Sequence, residues 1–122
     1  MSFRLRWTSE ATTTFQELQQ AAERAGRARS NAPKASGKKK TKSSRQEGLF
    51  KQVAKAVRLL AENPRHGGLN THEYDSLDHP FEKNGKVFEA YAQNRTPGAY
   101  RVFWCHGPGK GDITIIAITP HP

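Results

Sequence analysis

The sequence predicts an α+β domain with the element order β-α-α-β-β-β: a small, mostly antiparallel sheet with a helical hairpin on one face. Three observations predict it. A short alternating run opens the chain, two segments with apolar residues at helical spacing follow, and three strand-like runs separated by turns close it. At 122 residues and 34% hydrophobic content, residues 1–122 read as a single domain with a modest core.

Phe3, Leu5 and Trp7 alternate with Arg4 and Arg6, the period of a half-buried strand. Thr8 or Ser9 suits the cap of a helix, and Glu10 favours its positive N-terminal end. Ala11, Phe15, Leu18 and Ala22 form an apolar stripe that fades near Gly26. Residues 24–46 hold nine Lys or Arg and no Asp or Glu. With so little apolar surface to bury, the stretch at about 27–46 is expected to be a flexible basic insert between the helices. A second helix is expected from near Glu47, with Leu49, Phe50, Val53, Ala54, Val57 and Leu60 inward. Asn63-Pro64 ends it, because the residue before proline avoids the helical conformation. Residues 65–86 are polar and turn-rich, and Asn84-Gly85 is a strong turn signal. Strands are then expected over 87–93, 100–105 and 113–118. In the first, Phe88, Ala90 and Ala92 face away from Glu89, Tyr91 and Gln93. In the second, Tyr100, Val102 and Trp104 face away from Arg101, Phe103 and Cys105.

A formal net charge of +9 points to a polyanionic partner. The lone cysteine, Cys105, has no internal partner and reads as a buried thiol in a reducing compartment. No apolar stretch approaches the ~20 residues that cross a bilayer, and the alternating N-terminus is not a secretory leader. A soluble, cytoplasmic protein is expected, with no membrane partner. His66, His72, His79, His106 and His121 lack metal-motif spacing, so neither a metal nor another cofactor is expected. Gly107-Pro108-Gly109-Lys110-Gly111-Asp112 lacks phosphate-loop spacing and leads into a strand, so it reads as a hairpin turn.

Four motifs taken in order carry a resemblance: Leu59-Leu60-Ala61-Glu62-Asn63-Pro64, Gly68-Leu69-Asn70-Thr71-His72-Glu73, Ala99-Tyr100-Arg101-Val102-Phe103-Trp104 and Ile115-Ile116-Ala117-Ile118-Thr119-Pro120-His121. With the element order, they make nearly the whole chain, the basic insert apart, resemble the RelE/ParE superfamily of toxins from type II toxin–antitoxin modules. The resemblance implies a ribosome-dependent mRNA endonuclease of RelE, YoeB or HigB type that inhibits translation, silenced by a cognate antitoxin. Its partners would be mRNA, the ribosome with its rRNA, and that antitoxin. The superfamily's ParE branch implies the alternative of a non-catalytic inhibitor of DNA gyrase. A non-catalytic RNA- or ribosome-binding module is a third reading.

Metal-free RNA cleavage needs a proton taken from the 2′-hydroxyl, charge stabilisation at the phosphorane and a proton given to the 5′-oxygen. A guanidinium suits the second task, since it stays charged and matches phosphate oxygens bidentately. Arg101 aligns with the family's strand arginine and is expected at the phosphate; otherwise it is a surface arginine paired with Glu89. An imidazole suits proton transfer. His121 sits where YoeB-like toxins place a C-terminal histidine and is expected as general acid, unless it is merely tail. His72 matches a loop histidine of the HigB branch and is expected to orient RNA or act as base. Glu89 and Tyr91 occupy positions where the RelE branch carries lysines; Glu89 is a candidate base and Tyr91 a candidate stacking platform. For RNA binding, Lys38, Lys39, Lys40, Lys42 and Arg45 of the insert would track phosphates, with Arg65 and Arg95 guiding the strand. The bland reading of the insert is a solvated loop.

Overall fold

The computed structural model describes residues 3–31, 45–93 and 98–120. Strand β1 (Arg4–Trp7) leads into helix α1 (Ser9–Asn31), helix α2 (Arg45–Glu62) and a single 3-10 turn (Gly67–Leu69). Strands β2 (His72–Glu73), β3 (Phe88–Tyr91), β4 (Tyr100–His106) and β5 (Asp112–Pro120) complete the chain. The sheet order is β1-β5-β4-β3-β2, with β1 parallel to β5 and every other pair antiparallel. The expected α+β architecture is present. Several bounds differ from expectation: β3 is shorter than 87–93, while β4 and β5 run past 100–105 and 113–118. Strand β2 is additional, and two residues are too few to show a period. Both ends of the basic stretch are helical, since α1 runs to Asn31 and α2 starts at Arg45. Residues 32–44, with Lys38, Lys39, Lys40 and Lys42, lie outside the described residues.

Local chemistry explains the element ends. The cap of α1 is Thr8, whose Oγ1 accepts a hydrogen bond from Ala11 N at 3.1 Å and donates one to Ile116 O at 2.7 Å. That hydroxyl ties the start of the helix to the central sheet. Gly107 (φ +104) and Gly111 (φ +79) adopt left-handed conformations in the turn between β4 and β5. Asp112, only 4% exposed, closes the turn through Gly109 N and faces Arg6 and Arg4 of β1.

The core lies between the sheet and the hairpin. Val53, Ala56, Val57 and Leu60 of α2 and Ala11 of α1 pack on Ala90, Val102, Trp104, Ile113, Ile115 and Ile118. Phe3, Leu5 and Trp7 close its edge, as their alternation predicts. Ala56, not Ala54, is the buried alanine of α2. Strand β5 contains a bulge: Phe103 pairs with Ala117 but Trp104 pairs with Ile115, leaving Ile116 as the extra residue. The bulge resets the alternation, so Ile113, Ile115 and Ile118 all reach the helix side. Burying each of these isoleucines stabilises the fold by about 2 kcal/mol. Among the described residues no helix is long and apolar enough to cross a membrane.

Candidate active site on the sheet face away from the helices

Register brings the site residues together. His72 pairs with Glu89, Tyr91 with Arg101, and Arg101 with Thr119. Directly paired residues share a face, and Phe88, Ala90, Val102 and Trp104 take the helix side. His72, Glu89, Tyr91 and Arg101 therefore stand on the other side, across three adjacent strands.

The loop after α2 aims His72. Asn63 Oδ1 accepts from Arg65 N, His66 Nδ1 accepts from Gly68 N, and Thr71 Oγ1 donates to Pro64 O. Asn70 sits in the left-handed region (φ 46, ψ 43), which asparagine tolerates better than most residues. Its carbonyl then lies 3.0 Å from His72 Nδ1. On the other side of the ring, His72 Nε2 is 2.7 Å from Glu89 Oε1. A carbonyl oxygen only accepts, so Nδ1 carries a hydrogen. The Nε2 contact needs a second hydrogen, on the ring or on the carboxyl. This geometry is thus the proton-loaded form of the pair. The two partners differ in access: the His72 side chain is 49% exposed and that of Glu89 1%.

Arg101 is 8% exposed. Its Nη1 donates to Gln93 O at 2.7 Å and Tyr100 O at 3.3 Å, and its Cζ lies 3.7 Å from the Tyr91 ring centre. Tyr91 also meets His72 edge-on, with centroids 5.6 Å apart. Tyr91, expected to stack on a nucleobase, thus already carries a guanidinium on one face. Among the described residues Arg101 makes no ion pair, and its Nε has no hydrogen-bond partner. The cross-strand pair of Arg101 with Glu89 is not the one formed, because register sets Glu89 opposite Phe103. A buried cation without a carboxylate is costly unless an anion completes it.

The face is less open than the sequence suggests. Tyr74 covers Phe103, with ring centroids 4.7 Å apart, and His79 Nε2 contacts His106 O at 3.2 Å. Cys105 is fully buried, and its burial together with the nearby Glu82 carboxylate pushes the thiol up to about 11. The segment after β2 therefore covers one end of the sheet and leaves the His72–Tyr91–Arg101 end as the candidate site.

The other candidates divide. Strand β5 is described to Pro120, which pairs with Tyr100; His121 and Arg95 lie outside the described residues. Arg65 is exposed in the loop that aims His72. Arg45 is exposed at the start of α2, and that helix's far end leads into this loop. Sequence reasoning missed Asn70 and Gln93, which act through backbone carbonyls that any residue type could supply.

Three solved structures share the architecture. They are the YoeB/ParE toxin from Agrobacterium tumefaciens (9% identity, 98% of this chain and 99% of that chain covered, TM-score 0.58); the YoeB dimer from Staphylococcus aureus (10%, 100% and 100%, 0.58); and the archaeal RelE–RelB complex from Pyrococcus horikoshii OT3 (12%, 98% and 96%, 0.53). No protein-family model and no curated protein matches the sequence. The fold is the one these three structures share. At these identities the likeness is one of fold, and the chemistry must be argued from the residues.

Proposed function

We propose that this protein is the toxin of a type II toxin–antitoxin module, a metal-independent endoribonuclease that cuts mRNA on the ribosome and so inhibits translation. The observation that carries the reading is the Arg101 guanidinium, buried on Tyr91 and anchored by backbone carbonyls, with no carboxylate paired to it among the described residues. The scissile phosphate would supply its missing anion, and the charge that grows at the phosphorane would strengthen the contact.

His72 is the group assigned to the 2′-hydroxyl. Before the reaction the pair lacks one hydrogen, so one of the two ring contacts opens and frees a nitrogen lone pair. Taking the hydroxyl proton restores both contacts, and the buried Glu89 carboxylate stabilises the imidazolium that forms. Glu89 acts through His72 in this scheme, because its burial keeps it from the substrate. His121 is assigned to the leaving 5′-oxygen on the resemblance. The archaeal neighbour was solved as a RelE–RelB complex, and a cognate antitoxin is the partner assigned here. Lys38, Lys39, Lys40, Lys42, Arg45, Arg65 and Arg95 are assigned to RNA and rRNA phosphates.

The test is expression with ribosome profiling. The wild type should arrest growth and leave cuts at fixed positions within codons. Arg101→Ala and Arg101→Lys should both lose cleavage, since a lysine lacks the planar fork. Full cleavage by Arg101→Ala would refute the assignment, and DNA breaks with intact mRNA would refute the nuclease reading.

A further inference from the structure

On the helix side of the sheet, below the loop that aims His72, lies a cavity of about 780 Å³ that the cleavage scheme does not use. Its walls are aromatic: Phe3, Phe88, Trp104 and His106 all line it. Phe88 and Trp104 stack with centroids 4.7 Å apart, and His106 stands on edge to Trp104 at 5.1 Å. Its rim is basic. Arg65 and His66 both border it and both are exposed. His66 Nδ1 accepts from Gly68 N, so in the neutral ring the remaining hydrogen is on Nε2, as a donor. The one carboxylate in the lining, Glu73, has its charge met by Lys86 at 3.2 Å.

We propose that this cavity is a subsite for one unpaired nucleobase of the RNA, with the adjoining phosphate at Arg65 and His66. The size falls within the ~300–1,000 Å³ of small-molecule sites. The half-buried Phe3 and Phe88 offer a π-face, Trp104 (2% exposed) backs Phe88 from the core, and the cationic rim accepts the phosphate that must accompany a base. His72 also lines the cavity while it contacts Glu89 on the opposite face, so a strand can turn the sheet edge at β2 and keep a base here and a linkage at Arg101. The assignment rests on the nuclease reading and names where that substrate is gripped.

Trp104 reports on the site. The chain has two tryptophans, so Trp7→Phe leaves Trp104 as the sole emitter. Adenosine, adenosine 5′-monophosphate, inorganic phosphate and a 2′-deoxy-substituted, uncleavable trinucleotide are titrated into the full-length protein. The monophosphate should change the emission saturably, and the trinucleotide should bind at least about 10-fold tighter, the gain from about one further stacked base. Arg65→Ala should abolish the preference for the monophosphate over adenosine, and Arg101→Ala should leave that titration unchanged. A flat titration, a response to phosphate alone, a monophosphate that binds as tightly as the trinucleotide, or an Arg65→Ala variant that keeps its preference would each overturn the subsite. RNA cleavage without any Trp104 response sinks the subsite alone; a normal response without cleavage sinks the nuclease reading alone.

Discussion

Glu89→Gln separates the chemistry from the fold. The side chain is 1% exposed and its Oε1 lies 2.7 Å from His72 Nε2. Glutamine keeps the shape. Its amide can turn to donate to Nε2 while Nδ1–H still donates to Asn70 O, so the neutral ring remains bonded on both sides. The exchange replaces a charge-assisted hydrogen bond by a neutral one, a loss of about 1 kcal/mol, partly offset because a carboxylate no longer has to be desolvated. Thermal unfolding should therefore move by no more than about 4 °C. Catalysis should suffer far more. Without the carboxylate, the imidazolium formed by proton transfer loses its stabilising partner, and kcat should fall by about 10²–10⁴-fold while KM stays within about 2-fold. The assay is single-turnover cleavage of a programmed mRNA on purified ribosomes, with calorimetry on the same preparation. Wild-type kcat in the glutamine variant would refute the positioning role. A collapse of the unfolding temperature would refute the claim that an amide satisfies the pair.

Two further predictions concern the scaffold. Thr8→Ala removes both the α1 cap and the bond to Ile116 O; it should cost about 1–2 kcal/mol, or about 4–8 °C in Tm, and Thr8→Ser should restore most of it. The Cys105 thiol is raised from 9.0 to about 11, so the folded state holds its proton where the unfolded state releases it. Its contribution is thus complete below pH 9 and is lost as pH rises from 9 through 11, a fall of at most about 3 kcal/mol. Urea midpoints at pH 8, 10 and 11 should decline more steeply for the wild type than for Cys105→Ala, and parallel declines would show that the thiol contributes nothing.

Periodicity made some of this molecule legible and left the rest hidden, for physical reasons. The alternation of Phe3, Leu5 and Trp7 and the spacing of Val53, Val57 and Leu60 report burial directly, and both proved inward-facing. Strand β2 was invisible because its two residues are held by pairing with Glu89 and Phe88, not by any pattern of their own. The β5 bulge was equally silent: strict alternation from Ile113 and Ile115 would turn Ile118 away from the helices, and the extra residue brings it inward.

The site divides along the same line. The family resemblance, together with the chemistry of a fixed cation, an imidazole, a carboxylate and an aromatic ring, singled out Arg101, His72, Glu89 and Tyr91. Which of them touch was decided by register. One pairing placed the imidazole against the carboxylate and another placed the guanidinium on the phenol ring. Burial then left the histidine half-exposed and closed the glutamate off from solvent. Composition determines what kinds of charge a chain can offer. Only long-range strand pairing, between residues far apart in the chain, fixes which charges meet and which remain free to meet a substrate.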